Sequence, residues 1–163
     1  MSPVRIGMMR LALWIVLASL AISAPAEAHS PSVAVIKVTS VQTSVQVSHA
    51  PPAGLRKGEA FKLRDRLLNR APQFGPPIGA VIGTDEGALV LTSSTSGTLT
   101  GTATFPDGTV RLKDVVSLTS TKPTAIAVVG GTGKYKDARG TETEPAEGGN
   151  STREPNTYRL ILP

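Results

Sequence analysis

The stretch AVVGGTGKYKDARG, residues 127–140, decides between two fold classes. An apolar run leads into glycines at positions 130, 131 and 133, and a lysine-rich segment follows. Such a turn can bind a phosphate where a helix begins, or it can let two strands fold back tightly on each other. The first interpretation predicts an α/β nucleotide-binding domain, and the second an all-β protein.

The nucleotide-binding motifs do not fit this stretch. A phosphate-binding P-loop requires glycine where Val128 stands and serine or threonine where Tyr135 stands. A dinucleotide fingerprint that starts at Gly131 requires its last glycine at the position of Lys136. The segment KYKDARGTETE also opens no helix. The glycines are therefore predicted to form a tight corner between strands.

Two-residue alternation supports the all-β interpretation. In residues 33–48 we expect Val41, Thr43, Val45 and Val47 to share one face, as the strand period requires. Further strands are predicted at 61–67, 99–105, 110–118, 125–129, 134–143 and 157–163, with a strand pair around TDEG at 84–87. About eight strands with short connections and no helical period indicate an antiparallel barrel or sandwich.

Composition narrows the possible functions. The chain has 163 residues, 17 Lys and Arg, 12 Asp and Glu, and no cysteine. It therefore has no disulfide and no thiolate ligand. The sequence also lacks a run of basic residues interleaved with aromatic ones, so we do not expect nucleic-acid binding. His29 and His49 are the only histidines. We expect no metal site and no cofactor.

The N-terminus predicts export. Arg5 and Arg10 precede an apolar run at 11–22, and the AEA sequence at 26–28 has the form of a signal-peptidase site. The run is shorter than the roughly 20 residues of a membrane-spanning helix. We expect a signal peptide at 1–28, cleaved after Ala28, and one secreted domain at 29–163 without stable membrane insertion.

Two carboxylates fall on otherwise apolar strand faces. Asp65 alternates with apolar residues in 61–67, and Asp114 does so in 110–118. Tyr135 and Arg139 share one face of the predicted strand 134–143. We hypothesise that Asp65 and Asp114 meet Arg139, with Tyr135 nearby, in a cavity where a carboxyl group transfers protons and arginine stabilises an oxyanion. A purely structural Asp–Arg pair, or solvent exposure after a register slip, are the alternatives.

The glycine stretch also resembles a known signature. V-x-G-G-T-G at 128–133 and A-R-G at 138–140 resemble the dirigent and allene oxide cyclase group of barrels, and so do FKLRDRLLN, PPIGAVIG, GTATFPDGTV and TYRLILP. The resemblance spans 61–163 and implies an eight-stranded antiparallel β-barrel that forms a homotrimer. It also implies a cavity for a reactive apolar or phenolic small molecule, whose cyclisation or stereoselective coupling is directed without a cofactor. The alternative is a non-catalytic barrel that binds an apolar ligand or associates with the cell envelope.

Overall fold

The computed structural model describes residues 30–48, 55–146 and 152–163. The predicted signal peptide and both histidines lie outside these residues. The strands are β1 (Ser32–Val47), β2 (Ala60–Asn69), β3 (Val81–Leu91), β4 (Ser96–Phe105), β5 (Gly108–Ser117), β6 (Thr124–Gly131), β7 (Arg139–Glu144) and β8 (Arg153–Leu162). Within the described residues, no helix is long and apolar enough to cross a membrane.

The eight strands form one closed barrel. Each strand pairs antiparallel with its neighbour in the chain, and β8 closes the barrel by pairing with β1, from Ser32 opposite Leu162 to Val41 opposite Arg153. Closure gives each strand a partner on both sides, although the β5–β6 ladder is short and the β1–β8 ladder ends at Val41. The eight-stranded antiparallel barrel predicted from the sequence is confirmed.

The two ends of the barrel differ. At one end, Phe74 from the β2–β3 connection stacks on Phe105 with ring centroids 5.8 Å apart. Tyr135, in a short 3-10 helix (Gly133–Tyr135), meets the same Phe105 ring edge-on at 5.9 Å. We call this the closed end. The opposite end, where β1 joins β2 and β7 joins β8, is called the open end.

A β-bulge in β1 decides which side chains face the interior. Gln42 pairs with Asp65, but the next pair is Ser44 with Arg64, so Thr43 is an extra residue. The bulge changes the alternation, and Val45 then pairs with Leu63 on the inner face. The prediction that Val41, Thr43, Val45 and Val47 share one face is therefore wrong.

The glycine stretch forms a corner, but not the predicted continuous strand. A side-chain carbon on Gly131 would overlap the carbonyl oxygen of Thr109, so only glycine fits this approach. Gly133 has a φ of 58° and opens the 3-10 helix, and Asp137 has a φ of 58°. Because these residues turn the chain, β7 begins only at Arg139, and the predicted strand 134–143 is wrong in its first half.

Candidate functional site: an acid cluster inside the barrel

The apolar core fills the half of the barrel next to the closed end and stops at a polar layer. Its buried members include Ile36, Val38, Leu67, Phe105, Val110, Leu112, Ile126, Val128 and Leu160. The layer above it consists of Asp65, Asp85, Glu142, Asn156 and Tyr158, which we call the acid cluster. Asp65 pairs with Asp85, and Glu142 pairs with Tyr158, so strand register alone puts these groups on the inner face.

Several polar atoms of the acid cluster have no partner. Ser40 donates a hydrogen bond to Oδ2 of Asp65 at 2.5 Å, and Asn156 donates to Oε1 of Glu142 at 2.9 Å. The atoms without a hydrogen-bond partner are Oδ1 of Asp65, Oδ1 of Asp85, Oε2 of Glu142, Oδ1 of Asn156 and the hydroxyl of Tyr158. Buried polar atoms in native proteins nearly always find a protein, water or ligand partner. Five of them in one layer therefore indicate a place built to receive something.

Burial also changes the acidity of the acid cluster. It raises the pKa of Asp85 to about 6, to which the charge of Asp65 contributes. It raises the pKa of Glu142 to about 8, with further contributions from Asp85 and Glu144. Both acids therefore hold their protons to higher pH than exposed carboxyl groups do, and Glu142 does so more strongly than Asp85. A proton donor and a proton acceptor lie in one layer, as acid–base chemistry requires.

Tyr158 stays a neutral hydroxyl between these acids. Its side chain is fully buried, and its pKa lies well above the ordinary value because of burial and the nearby charges of Glu142 and Asp85. The hydroxyl lies near both Glu142 and Asp85, and hydrogen bonding from it lowers the pKa of each acid, against the larger effect of burial.

A cavity of about 80 Å³ lies on the open-end side of the acid cluster and is bounded by two of its members, Asp65 and Asn156. Its lining residues are Ser40, Gln42, Asp65, Glu144, Thr152, Glu154 and Asn156. This space holds several water molecules. It is smaller than the roughly 300 Å³ of the smallest drug-sized pockets, so it suits a polar head group rather than a whole organic molecule.

Larger cavities lie elsewhere on the barrel. A groove of about 510 Å³ runs over the outer face of β1 to β4, beside the exposed ion pair of Arg64 and Glu86. A cavity of about 290 Å³ lies at the closed end beside Tyr135 and Lys134. The groove is lined by no buried group whose pKa is shifted, and the cavity at the closed end is lined by one, Tyr135. We therefore place the candidate site at the acid cluster.

Arg139 does not face the interior, and the predicted meeting with Asp65 and Asp114 is wrong. Its side chain is exposed, and Nη1 donates to the backbone carbonyls of Val129 at 3.1 Å and Ala138 at 2.9 Å. The physical reason is register. Arg139 is the first residue of β7 and lies opposite Ile161 of β8 on the outer face of the barrel. Gly140 and Glu142 lie on the inner face.

Asp114 faces inward as predicted, but its carboxylate is already hydrogen-bonded to backbone N–H groups. Its carboxylate accepts the N–H groups of Val115 at 2.7 Å and Ala127 at 3.0 Å. The β5–β6 pairing stops at Leu112, so Asp114 links these strands where the backbone no longer does. This contact is structural.

Tyr135 lies at the closed end and belongs to the packing around Phe105. Burial, with the charge of Asp107, raises the pKa of its hydroxyl to about 12. Of the four residues predicted for the site, only Asp65 lies in the acid cluster.

The sequence interpretation missed Asp85, Glu142 and Tyr158. Asp85 lies in the middle of β3, where the TDEG stretch was interpreted as a turn between two strands. Glu142 lay at the end of the predicted strand 134–143, where it was assigned no role. The alternation of Tyr158 with the buried leucines that follow it in β8 was visible in the sequence and could have placed it inside. In the described part of the chain, no group of three or more His, Cys, Asp or Glu side chains is arranged to hold a metal ion.

Comparison with known proteins agrees with the barrel. A family model described as an allene oxide cyclase barrel like domain matches residues 40–147. Pyocyanin demethylase matches with a TM-score of 0.64 and 19% identity over 78% of this chain and 99% of its own. A Diels–Alderase from Streptomyces koyangensis matches with a TM-score of 0.61 and 20% identity, over 80% of this chain and 63% of its own. A pterocarpan synthase dirigent protein matches with a TM-score of 0.59 and 17% identity, over 82% of this chain and 94% of its own. No curated protein matches by sequence. At these identities the likeness is one of fold.

Proposed function

We propose that this chain, which belongs to the allene oxide cyclase barrel like family, binds a small organic molecule at its open end and directs that molecule's cyclisation or stereoselective coupling. The observation that carries the proposal is the acid cluster. It combines two acids whose pKa is raised by burial with several polar atoms that lack a hydrogen-bond partner, inside an otherwise apolar barrel. Evolution of a merely structural core favours fully partnered polar groups, because unpartnered ones destabilise the fold.

The acid cluster supplies the chemistry that such a reaction needs. Glu142 can donate a proton to a carbonyl or an alkene of the bound molecule, and Asp85 can accept one. The carboxylate of Asp65 can stabilise positive charge that develops during ring closure. Confinement inside the rigid barrel holds one conformer of the molecule, which then reacts along one path. No step requires an oxidant from this chain.

The known relatives support the small-molecule part of the proposal. They are a pyocyanin demethylase, a cyclase that catalyses [4 + 2] cycloaddition, and pterocarpan synthase dirigent proteins. These names describe reactions of organic compounds. For this chain we propose a molecule with an apolar or phenolic body.

Export and assembly are part of the same proposal. We propose cleavage after Ala28, secretion, and a homotrimer as the working form. Native mass spectrometry of protein purified from its own culture medium tests all three, because it measures the mature mass, the oligomer mass and any retained ligand together. A full-length mass or a monomer would contradict the corresponding part.

The proposed activity is tested with two probes, one for each kind of reaction. They are a linear triene that closes slowly by [4 + 2] cycloaddition, and a phenol whose radicals couple in the presence of an added oxidant. Chiral chromatography compares the products formed with and without the protein. We expect the barrel to change the product or isomer ratio of at least one probe by about tenfold, equivalent to about 1.4 kcal/mol.

Matched variants assign that effect to the acid cluster. Asp85→Asn and Glu142→Gln keep the side-chain shape and remove the proton transfer, so both should return the ratio to that of the uncatalysed reaction. Glu86→Gln alters an exposed carboxylate on the same strand and should leave the effect unchanged. Unchanged product ratios with both probes would overturn the proposal.

The charge distribution favours a second candidate, a non-catalytic barrel associated with an anionic cell envelope. Every lysine and arginine in the described ranges is exposed, so the outer surface concentrates positive charge. Such a surface binds anionic membranes in a salt-dependent way. Sedimentation with phosphatidylglycerol vesicles at low and high salt tests it, and the absence of salt-sensitive binding would reject it.

A further inference from the structure

We infer that the molecule bound by the acid cluster enters with a cationic head group that carries N–H donors, such as an amidinium or a protonated amine. This inference rests on the proposed function, because it assigns a substrate class to the same site. The head group would occupy the 80 Å³ cavity, and the apolar body would extend toward the open end.

The first argument is the kind of atom left without a partner. The unpartnered atoms of Asp65, Asp85 and Asn156 are all oxygens of carboxyl or amide groups, which accept hydrogen bonds. A ligand whose head group carries only acceptors would leave them unpaired, and an anion would also be repelled. A head group with two or more N–H donors satisfies several of them at once, and a positive charge makes each bond stronger.

The second argument is the missing countercharge. Buried carboxylates in proteins are normally paired with arginine or lysine. Here every described lysine and arginine is exposed, and the ion pairs of Arg64 with Glu86 and of Lys134 with Asp107 lie on the surface. No lysine or arginine of the described ranges is buried beside the acid cluster, so a cationic head group would bring a buried countercharge to it.

The third argument is the shape of the inner face between the acid cluster and the open end. Val45 and Val47 pair with Leu63 and Phe61 on that face. Val45 and Val47 are exposed at 46% and 42% although they point inward, which shows that this part of the barrel is accessible to solvent. An apolar body would cover these side chains while its head group reaches Asp65.

Binding of a cation is also coupled to the protonation of Glu142. The titratable groups that face Glu142 are Asp85 from β3, Glu144 from β7 and Tyr158 from β8. None of them is positively charged, so a cation in the cavity next to Asn156, which donates to Glu142, favours the ionised form of Glu142. Binding is then accompanied by release of a proton, which a neutral ligand does not cause.

Three isosteric probes test the inference with the intact mature protein. Benzamidinium is a planar cation with N–H donors, benzamide is its neutral counterpart, and benzoate is the anion. Calorimetric titration measures the Kd of each. We expect benzamidinium to bind at least about tenfold more tightly than benzamide, and benzoate to bind most weakly, since tenfold is the usual effect of one good charged hydrogen bond.

Variants assign this preference to the acid cluster. Asp65→Asn and Glu142→Gln should each raise the Kd of benzamidinium about tenfold and leave that of benzamide within about twofold. Glu86→Gln should leave all three values unchanged. Melting temperatures are recorded for every variant, and Glu142→Gln, which retains the acceptor for Asn156, covers the case in which Asp65→Asn fails to fold.

The outcomes separate this inference from the proposed function. Equal binding of benzamide and benzamidinium, tighter binding of benzoate, or no binding of benzamidinium would each overturn the inference. If the acid-cluster variants then still abolish the change in product ratio, the proposed function stands without a cationic substrate. If benzamidinium binds selectively while no product ratio changes, the site is a cation-binding site and the proposed activity fails.

Discussion

Glu142 links the site to the stability of the fold. Its pKa is about 8 in the barrel because of burial, and 4.5 is the ordinary value of the unfolded chain. Between these values the folded state holds more protons than the unfolded state, so the free energy of unfolding falls as pH rises through this window. Asp85, with a pKa of about 6, adds to the lower part of the same decline.

Glu142→Gln should remove the upper part of this decline. The amide cannot ionise, so above pH 8 the variant should be more stable than the wild type by about 1–3 kcal/mol, and at pH 4 the two should be alike. Urea unfolding at a series of pH values measures this. Glu86→Gln is the control and should follow the wild type. A wild-type stability that stays constant from about pH 6 to pH 9 would refute the expectation.

Two glycines of the inner face should respond differently to a methyl group. Gly140 has a φ of 137°, and a side-chain carbon there would overlap the carbonyl oxygen of Arg159. At Gly101 the nearest atoms would be Cδ1 of Leu112 at 3.5 Å and Oδ1 of Asp85 at 3.7 Å, which are ordinary contacts. Gly140→Ala should therefore destabilise the barrel by more than about 3 kcal/mol, and Gly101→Ala by less than about 1 kcal/mol. Thermal and urea unfolding compare the two, and similar losses would contradict the register of β7.

At the scale of the strand, the bulge in β1 makes one residue dispensable. Removal of Thr43 would leave Gln42 opposite Asp65 and place Ser44 opposite Arg64 in a continuous ladder. The main loss is the hydrogen bond from Thr43 to the carbonyl of Arg64, so deletion should reduce the free energy of unfolding by about 1 kcal/mol.

Deletion of Thr39 is the matched control for this prediction. Thr39 lies in the uninterrupted part of the ladder. Its loss would shift the register of β1 on one side of the deletion, so inward-facing side chains there would face solvent. We expect a loss of more than about 3 kcal/mol, measured by the same urea titration. If the deletion of Thr43 is as harmful as that of Thr39, the bulge does not have the position described.

The elements that the sequence predicted well are those with a strict alternation of large and small or polar side chains. The alternation of threonine with apolar or small residues over 99–105, followed by the PDG turn, correctly predicted β4 and its hairpin with β5. The predictions failed where the chain departs from strict alternation. The bulge at Thr43 and the turn at Asp137 each change which residues face inward, and no single residue type announces either one.

The site could be predicted less well than the barrel, because it depends on the register of several strands at once. Asp65 was found from the pattern of one strand. Asp85 and Glu142 carry charge at inward-facing positions, and the sequence pattern placed Asp85 in a turn and Glu142 at the end of the strand 134–143, so neither was recognised as part of the interior. Their meeting with Tyr158 depends on pairings between distant segments, and those appear only in the assembled barrel.

At the scale of the whole molecule, the barrel separates negative charges on its inner face from positive charges on its outer face. Asp65, Asp85 and Glu142 face the interior, whereas every described lysine and arginine is exposed. The modest formal net charge of +5 therefore combines an acidic interior with a strongly basic exterior. Neither the composition nor the order of residues along the chain shows this separation.

The pairing of the first strand with the last has one more consequence. Because Ser32 lies opposite Leu162, a linker of a few glycines could join these positions, and the chain could instead begin in the turn near Thr95 between β3 and β4. Such a circular permutant would retain every ladder of the barrel. We expect it to fold with a near-native circular dichroism spectrum, and failure to fold would mean that β1 and β8 do not adjoin as described.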